Sequence, residues 1–159
     1  MNITEELFQS IQTNNHQKLE LILKNHPEIV DSKDSRGFTP LILASYFDNA
    51  KATETLLKSN ANVDGRDASG NTALIGVSFK GNIRLAKLFI ENGANLNAKN
   101  NNGTTALIFA ATYGQEEIIN LLLKNGADKT LIDNEGQTAL DRAKEKGHAN
   151  LLSSLAIES

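Results

Sequence analysis

The chain has 159 residues, of which 40% are hydrophobic and 22% charged, and its formal net charge at pH 7 is −3. This composition predicts a compact, soluble protein of one domain or one array, and no stretch approaches the roughly 20 apolar residues that a membrane helix needs. The small negative charge argues against nucleic-acid binding, and the absence of cysteine excludes disulfides, a thiolate nucleophile and a cysteine-based zinc site.

The amino-terminal residues 1–8 include glutamates and have no basic segment before an apolar stretch, so they do not look like a secretory signal. We therefore expect a cytoplasmic protein. The abundance of Asn, Lys and Ile indicates an AT-rich genome and favours a bacterial source.

A fixed spacing of 33 residues separates four glycines, which are Gly37, Gly70, Gly103 and Gly136. The register extends beyond the glycines, because threonine follows each of them two positions later and leucine four positions later. A constant period of this length predicts an array of one repeated unit, in which each unit packs on its neighbours.

Residues 1–33 match this period more loosely than the rest of the chain. Phe8, Ile11 and Leu23 stand 33 residues before apolar positions of the next unit, but the segment lacks the Thr-Pro and Gly-Ala pairs that mark later units. Terminal units of an array are atypical and more polar, so we interpret residues 1–33 as an N-terminal capping unit.

Each later unit begins with a short predicted helix. A threonine hydroxyl accepts the N–H groups of a starting helix, and proline or alanine suits the position after it. The predicted caps are Thr39, Thr72, Thr105 and Thr138. Left-handed residues are expected to end these helices about nine positions later, at Asp48, Gly81, Gly114 and Gly147.

A second helix follows in each unit, with apolar residues at helical spacing such as Ile83, Leu85, Ala86 and Phe89. These helices stop at Asn60, Gly93 and Gly126, and a polar turn leads to the next unit. The predicted boundaries are repeats at 34–66, 67–99 and 100–132, and a charged C-terminal capping repeat at 133–159. We expect the array to be closed at both ends and the chain to be a whole protein.

These residues resemble the ankyrin repeat family, whose consensus reads Asp-x-x-Gly-x-Thr-Pro-Leu-His and later Leu-Leu-x-x-Gly-Ala-Asp. The matching segments are 34–41, 72–74, 105–107, 138–140, 92–95 and 125–128. The resemblance implies an all-α solenoid of about five helix-turn-helix units joined by hairpin-like loops, forming a single array over residues 1–159. Ile42, Ile75, Ile108 and Asp141 replace the consensus histidine, so we expect apolar stacking instead of a polar link between the internal units.

The resemblance also implies a function, because the family holds other proteins on the concave surface made by its loop tips and first helices. Its variable positions lie four, two and one residues before each repeat glycine and one, nine and ten residues after it. Five of the eight aromatic residues of this chain fall on these positions, whereas Phe8, Phe89 and Phe109 do not. Aromatic anchors beside basic side chains are typical of protein interfaces. The predicted partner-binding residues are Arg36, Phe38, Tyr46, Phe47, Arg66, Phe79, Lys80, Lys99 and Tyr113.

Two simpler interpretations stay open at these positions. Phe47 and Phe79 could pack on the neighbouring unit instead of contacting a partner, since single exposed apolar residues are common. Arg36, Arg66 and Lys99 could be solvated loop charges instead of a basic stripe that steers an acidic partner.

Catalytic function finds little support in the sequence. The three histidines, His16, His26 and His148, have no ligand spacing that repeats elsewhere, and no phosphate-binding glycine motif is present. We therefore expect a non-enzymatic, monomeric protein-binding module without cofactor or metal. Its role as adaptor, inhibitor or antagonist is open. The alternatives are a small-ligand binder or enzyme with a site in the groove, and a self-associating structural subunit.

Overall fold

The computed structural model describes residues 1–157. Within them are ten α-helices and no strands, which confirms the predicted all-α fold. None of these helices is both long and apolar enough to cross a membrane. The helices are α1 (Ile3–Gln12), α2 (His16–Asn25), α3 (Pro40–Tyr46), α4 (Ala50–Lys58), α5 (Ala73–Lys80), α6 (Ile83–Glu91), α7 (Ala106–Thr112), α8 (Glu116–Lys124), α9 (Ala139–Glu145) and α10 (Leu152–Leu155).

The chain divides into two compact units, Met1–Ala73 and Leu74–Ser159. In the first unit, α1 packs on α2 and α3, and α4 packs on α2 and α3. In the second unit, α7 packs on α8 and α9, α8 packs on α6, and α10 packs on α9. The helices of each unit therefore pack in pairs, as a helix-turn-helix repeat requires.

The first helices of three repeats start at the predicted threonines. Thr39, Thr105 and Thr138 each accept the backbone N–H three residues later at 3.2 Å. In α9 the cap is reciprocal, because the Asp141 carboxylate accepts the N–H of Thr138 at 3.0 Å. Asp141 thus serves its own helix, and it occupies the position that isoleucine holds in the three preceding repeats.

The predicted left-handed residues end these helices. Asp48, Gly81, Gly114 and Gly147 have φ angles of 53°, 78°, 71° and 77°. Glycine adopts such angles readily and aspartate adopts them less often. The chain can therefore reverse direction directly after each helix, without a longer loop.

Asparagines begin the second helices, a feature that the sequence analysis did not identify. The side chains of Asn15, Asn49 and Asn82 accept N–H groups of α2, α4 and α6 at 3.0 to 3.2 Å. Gln115 and His148 occupy the equivalent position in later repeats and reach the previous first helix instead. The Gln115 amide donates to the Phe79 carbonyl at 3.1 Å, and His148 Nε2 lies 3.1 Å from the Thr112 carbonyl oxygen.

The N-terminal unit is one residue longer than the period. Its left-handed residue is Asn14, with φ of 56°, which stands 34 positions before Asp48. The loop residues Asp31 and Asn62 have the same spacing as their counterparts in a later loop. The Asn62 N–H donates to Asp31 at 2.9 Å, as the Asp128 N–H does to Asn97. The additional residue therefore lies between Asn14 and Asp31, a segment that contains the 3-10 turn Pro27–Ile29.

Each unit has its own apolar core. The apolar residues predicted for the first unit, Phe8, Ile11 and Leu23, are all buried. In the last repeat Leu151 and Leu155 are buried and Leu152 is half-buried, and the second helix is shorter than those of the preceding repeats. It consists of a 3-10 turn followed by the four residues of α10, and no side chain caps its start.

Candidate functional site

Two adjacent aromatic rings end the first helix of the first full repeat. Tyr46 and Phe47 meet edge to face with ring centroids 5.3 Å apart, and 59% and 48% of their respective surfaces are exposed. A ring pair of this kind can bury apolar area against a ligand, and the two side chains lose little conformational freedom on binding. Both rings are therefore about half-exposed on the surface of the first unit.

Phe38 and Arg36 form a second predicted contact point in the same unit. The guanidinium of Arg36 lies 4.9 Å from the centre of the Phe38 ring and bonds Asp34 Oδ2 through Nη2 at 2.8 Å. Burial alone would raise the pKa of Asp34, but the Arg36 side chain and the N–H groups of Phe38 and Arg36 lower it. Arg36 is thus held by its own turn and stacked on Phe38, which is half-buried.

Arg66 also contacts its own turn. Its Nη1 donates to the Gly70 carbonyl oxygen at 2.9 Å. Arg66 is exposed at the surface of the first unit.

Three aromatic rings cluster on the second unit. Phe79 at the end of α5 lies 4.5 Å from Tyr113 and 5.8 Å from Phe109, centre to centre, in edge-to-face arrangements. Phe79 remains 42% exposed and Tyr113 51% exposed, so Phe79 both packs on the next repeat and faces solvent. Phe109, which the sequence analysis excluded from the variable positions, is the half-buried third member.

The predicted basic residues of the second unit are both exposed. Lys80 follows Phe79 at the end of α5, and Lys99 donates to the Ile132 carbonyl oxygen at 2.9 Å across neighbouring loops. The side-chain amide of Asn134 makes a similar link to the Asn101 carbonyl at 3.1 Å. The Lys99 amine and the Asn134 carboxamide therefore link neighbouring loops, and both side chains are also exposed.

A small groove lies beside Tyr113, between α7 and α9. Its volume is about 180 Å³, and its lining includes Ile108, Thr112, Arg142 and Lys146. This volume is below the roughly 300 Å³ at which small-molecule sites begin. The groove therefore fits a single side chain better than a free ligand.

Arg142 forms the charged end of this groove. Its guanidinium bonds Asp133 at 2.7 Å and Glu145 at 3.0 Å, and it lies 3.5 Å from Glu135. Hydrogen bonds to Asp133 raise the pKa of Arg142 above its usual range. Burial alone would raise the pKa of Asp133, but the Gln137 N–H, Arg142 and the Glu135 N–H lower it. The acidic side chains of this region therefore converge on one guanidinium.

The repeat pattern and the helix pairs agree with one protein family. The family model for ankyrin repeats, which holds three copies, matches residues 7–100 and again residues 74–159. The chain belongs to the ankyrin repeat family. A comparison with curated proteins found no match. Ankyrin repeats are in general protein–protein interaction modules, and the family is typically non-enzymatic.

The variable positions of these ankyrin repeats carry an excess of positive charge. Six of the 24 positions are basic and two are acidic, whereas the whole chain has 16 basic and 19 acidic residues. All eight charged side chains are exposed, and they are Lys33, Arg36, Arg66, Lys80, Lys99, Lys146, Glu135 and Glu145. The charged side chains at these predicted positions therefore sum to a positive charge, whereas the net charge of the protein is negative.

The histidines of the ankyrin array have structural contacts. His16 lies 3.1 Å from Glu20 and 3.3 Å from Thr55, His26 lies 3.4 Å from Glu28, and His148 contacts the Thr112 carbonyl. Within residues 1–157, no three His, Asp or Glu side chains gather in a group that could hold a metal ion.

Proposed function

We propose that this chain is a non-enzymatic module that binds another protein with the loop tips and first helices of its ankyrin repeats. The observation that supports it best is the set of exposed aromatic rings at the ends of first helices. Tyr46, Phe47, Phe79 and Tyr113 are each at least 42% exposed, although aromatic residues make up only 5% of the chain. Exposed tyrosine and phenylalanine beside basic residues are favoured at protein interfaces, where a few anchors supply most of the binding energy.

The excess of basic residues at the variable positions favours an acidic partner. Opposite charges on the two surfaces would accelerate association and would be screened by salt. Whether the module acts as an adaptor, an inhibitor or an antagonist depends on what the partner does. We further propose that the module is a monomer and that it works in the cytoplasm of a bacterium, as the sequence predicts.

Capture of partners by the intact chain tests this function. We expect replacement of Tyr46, Phe79 and Tyr113 by alanine to abolish capture of a partner that the wild-type chain retains, with a modest decrease in melting temperature because ring contacts are lost. Leu21→Ala is a matched control, because Leu21 is 59% exposed on α2 and lies outside the variable positions. Reduced stability together with unchanged capture would rule out these three residues as anchors.

The alternative of a small-ligand site predicts a deep pocket with convergent polar groups. A groove of about 460 Å³ lies in the first unit between α1 and the turn that contains Asp34. It is lined by side chains such as Gln9, Gln12 and Lys33, and no cluster of shifted ionisable groups marks it as a reaction site. A self-associating subunit would instead show a mass that rises with concentration in sedimentation, whereas the proposed monomer would not.

A further inference from the structure

Three asparagines of the second unit are each followed by glycine, in the pairs Asn92-Gly93, Asn102-Gly103 and Asn125-Gly126. Asparagine is a thermolabile residue, because its side-chain carbonyl carbon can be attacked by the backbone nitrogen of the next residue. The attack displaces ammonia and closes a succinimide ring. A glycine after the asparagine favours ring closure, since glycine has no Cβ and restricts the backbone least. The sequence alone therefore does not separate the three pairs.

The side chains of Asn92 and Asn125 are held by the helices that they end. Each is the C-cap residue of a second helix, α6 or α8, and its Nδ2 donates to the carbonyl oxygen four residues earlier at 2.8 Å. Nδ2 is the atom that would leave as ammonia. The bond opposes the side-chain rotation that brings Cγ towards the next backbone nitrogen, so it protects both residues.

The side chain of Asn102 is not held in this way. Within residues 1–157 the hydrogen bonds of Asn102 are made by its backbone, whose N–H donates to Asn100 Oδ1 at 2.9 Å and whose carbonyl oxygen accepts the Asn134 N–H at 3.0 Å. Asn102 is also exposed. Its side-chain amide can therefore rotate in contact with water.

The glycine nitrogens differ less than the asparagine side chains do. The N–H groups of Gly93, Gly103 and Gly126 each donate to the carbonyl oxygen three residues earlier, at 3.0, 2.9 and 3.1 Å. All three φ angles are positive, at 83°, 73° and 94°. A tight turn must therefore open at every site before the attack. Gly103 is buried whereas the other two glycines are exposed, and this burial limits the advantage that Asn102 gains from its unrestrained side chain.

We infer that Asn102 is a deamidation site of this protein and that it reacts faster than Asn92 and Asn125. The Gly103 nitrogen bonds to Asn102 Cγ, and the bond from Cγ to Nδ2 breaks. Ammonia leaves with the proton of the Gly103 nitrogen. Water then opens the succinimide at one of its two carbonyl carbons, which yields aspartate or isoaspartate. Water is the only other reactant that these steps consume.

Conversion of Asn102 would change a loop tip at which we place partner contacts. Asn102 precedes the repeat glycine by one residue, which is one of the variable positions. Both products add a negative charge there. In isoaspartate the main chain passes through the former side chain, so the carbonyl that accepts the Asn134 N–H becomes part of a carboxylate and the link between the two loops is altered. The site itself does not depend on the proposed function, because the reaction needs no partner.

Ageing of the intact folded chain in heavy-oxygen water at mildly alkaline pH tests the inference. The aged chain is digested in ordinary water and its peptides are measured by mass spectrometry, so the heavy isotope identifies conversion that occurred before digestion. We expect Asn102 to convert about two- to tenfold faster than Asn92 and Asn125, which is the effect of one neutral hydrogen bond on a rate. The peptide that contains residue 102 should include isoaspartate as well as aspartate.

The same chain unfolded in guanidinium chloride is the control for sequence effects. All three pairs should then react at similar rates, because the side-chain bonds of Asn92 and Asn125 are gone. Asn102→Gln is the matched variant, and it should abolish conversion at this position while leaving the other two rates unchanged. Equal rates at the three pairs of the folded chain, or no conversion of Asn102 there, would overturn the inference. Partner capture by freshly prepared protein decides the proposed function separately.

Discussion

Asn100 and Asp133 occupy the same turn position in consecutive repeats and make the same two backbone contacts. Each accepts the N–H groups two and four residues later at 2.9 to 3.0 Å. Only Asp133 also pairs with Arg142, at 2.7 and 3.0 Å. The repeat thus provides a natural comparison between a neutral and a charged form of one turn.

Asp133→Asn should keep the turn and remove the ion pair. We expect it to lower the free energy of unfolding at pH 7 by about 1.5–3 kcal/mol, since hydrogen bonds to charged groups contribute about that much. The pKa of Asp133 is lowered in the folded protein. Its stabilisation is therefore complete above the unfolded pKa of about 3.9 and is lost as the pH falls through the folded pKa. Urea unfolding should show that the free energy of unfolding falls less between pH 7 and pH 3 for the variant than for the wild type.

Asp34→Asn is the control for this pH effect. Asp34 also has a lowered pKa, but its partner Arg36 is 53% exposed, whereas Arg142 is 16% exposed. Solvent weakens exposed ion pairs, so the cost at pH 7 should be less than about 1 kcal/mol. Equal losses for the two variants would contradict the importance that we assign to burial of Arg142.

Ser78→Ala should stabilise the protein. The Ser78 side chain is fully buried, and its Oγ has no hydrogen-bond partner within residues 1–157. A buried, unsatisfied hydroxyl costs about 1–3 kcal/mol, so its removal should raise the free energy of unfolding by about 1 kcal/mol. Ala111 shows that alanine fits the equivalent position of the next repeat.

Ser45→Ala should have the opposite effect on stability, as measured by thermal unfolding. Ser45 precedes Ser78 by one repeat, and its Oγ donates to the Ile42 carbonyl at 2.8 Å. Its replacement should lower stability by about 0.5–1 kcal/mol, because a satisfied bond is lost. A decrease for both serine variants would show that Ser78 finds a partner in solution.

Helix starts and ends were the features most accessible from sequence. Threonine and proline or alanine at a helix start act through local backbone chemistry, and so do glycines at a helix end, which explains why Thr39 and Gly114 were identified correctly. Asn14 was not identified, because it stands 34 positions before Asp48 and therefore lies outside the 33-residue register of the later repeats.

Contacts between repeats were harder to predict from the sequence than helix ends. The spacing of Phe79 and Tyr113 placed both at variable positions, but it did not show that Phe109 joins them, because ring directions depend on the packing of neighbouring helices. The pair of Asp133 and Arg142 joins residues nine positions apart through a turn. Arg36, predicted as part of a basic stripe, is largely committed to Asp34, which only the side-chain geometry shows.

Gly103→Ala should be more harmful than Gly126→Ala. Both glycines have positive φ, 73° and 94°, so both substitutions incur backbone strain of about 1 kcal/mol. An added Cβ at Gly103 would also lie 2.9 Å from the backbone N of Asn134, whereas nothing lies within 4 Å at Gly126. We expect an additional loss of about 1–3 kcal/mol for Gly103→Ala, measured by urea unfolding. Equal losses would show that the loop of Asn134 moves away without cost.

Removal of residues 1–33 should make the protein aggregate. These residues supply α1 and α2, which pack on α3 and α4 and help bury Leu41 and Leu56 to 1% and 0% exposure. Without them the apolar faces of α3 and α4 would be left without a covering unit, and exposed apolar faces of this kind associate. Leu7→Ala is the control, because it should cost about 2–5 kcal/mol while the capping unit stays in place. Sedimentation should show large species for the truncated chain alone, and a truncated chain that stays monomeric would exclude a capping role for residues 1–33.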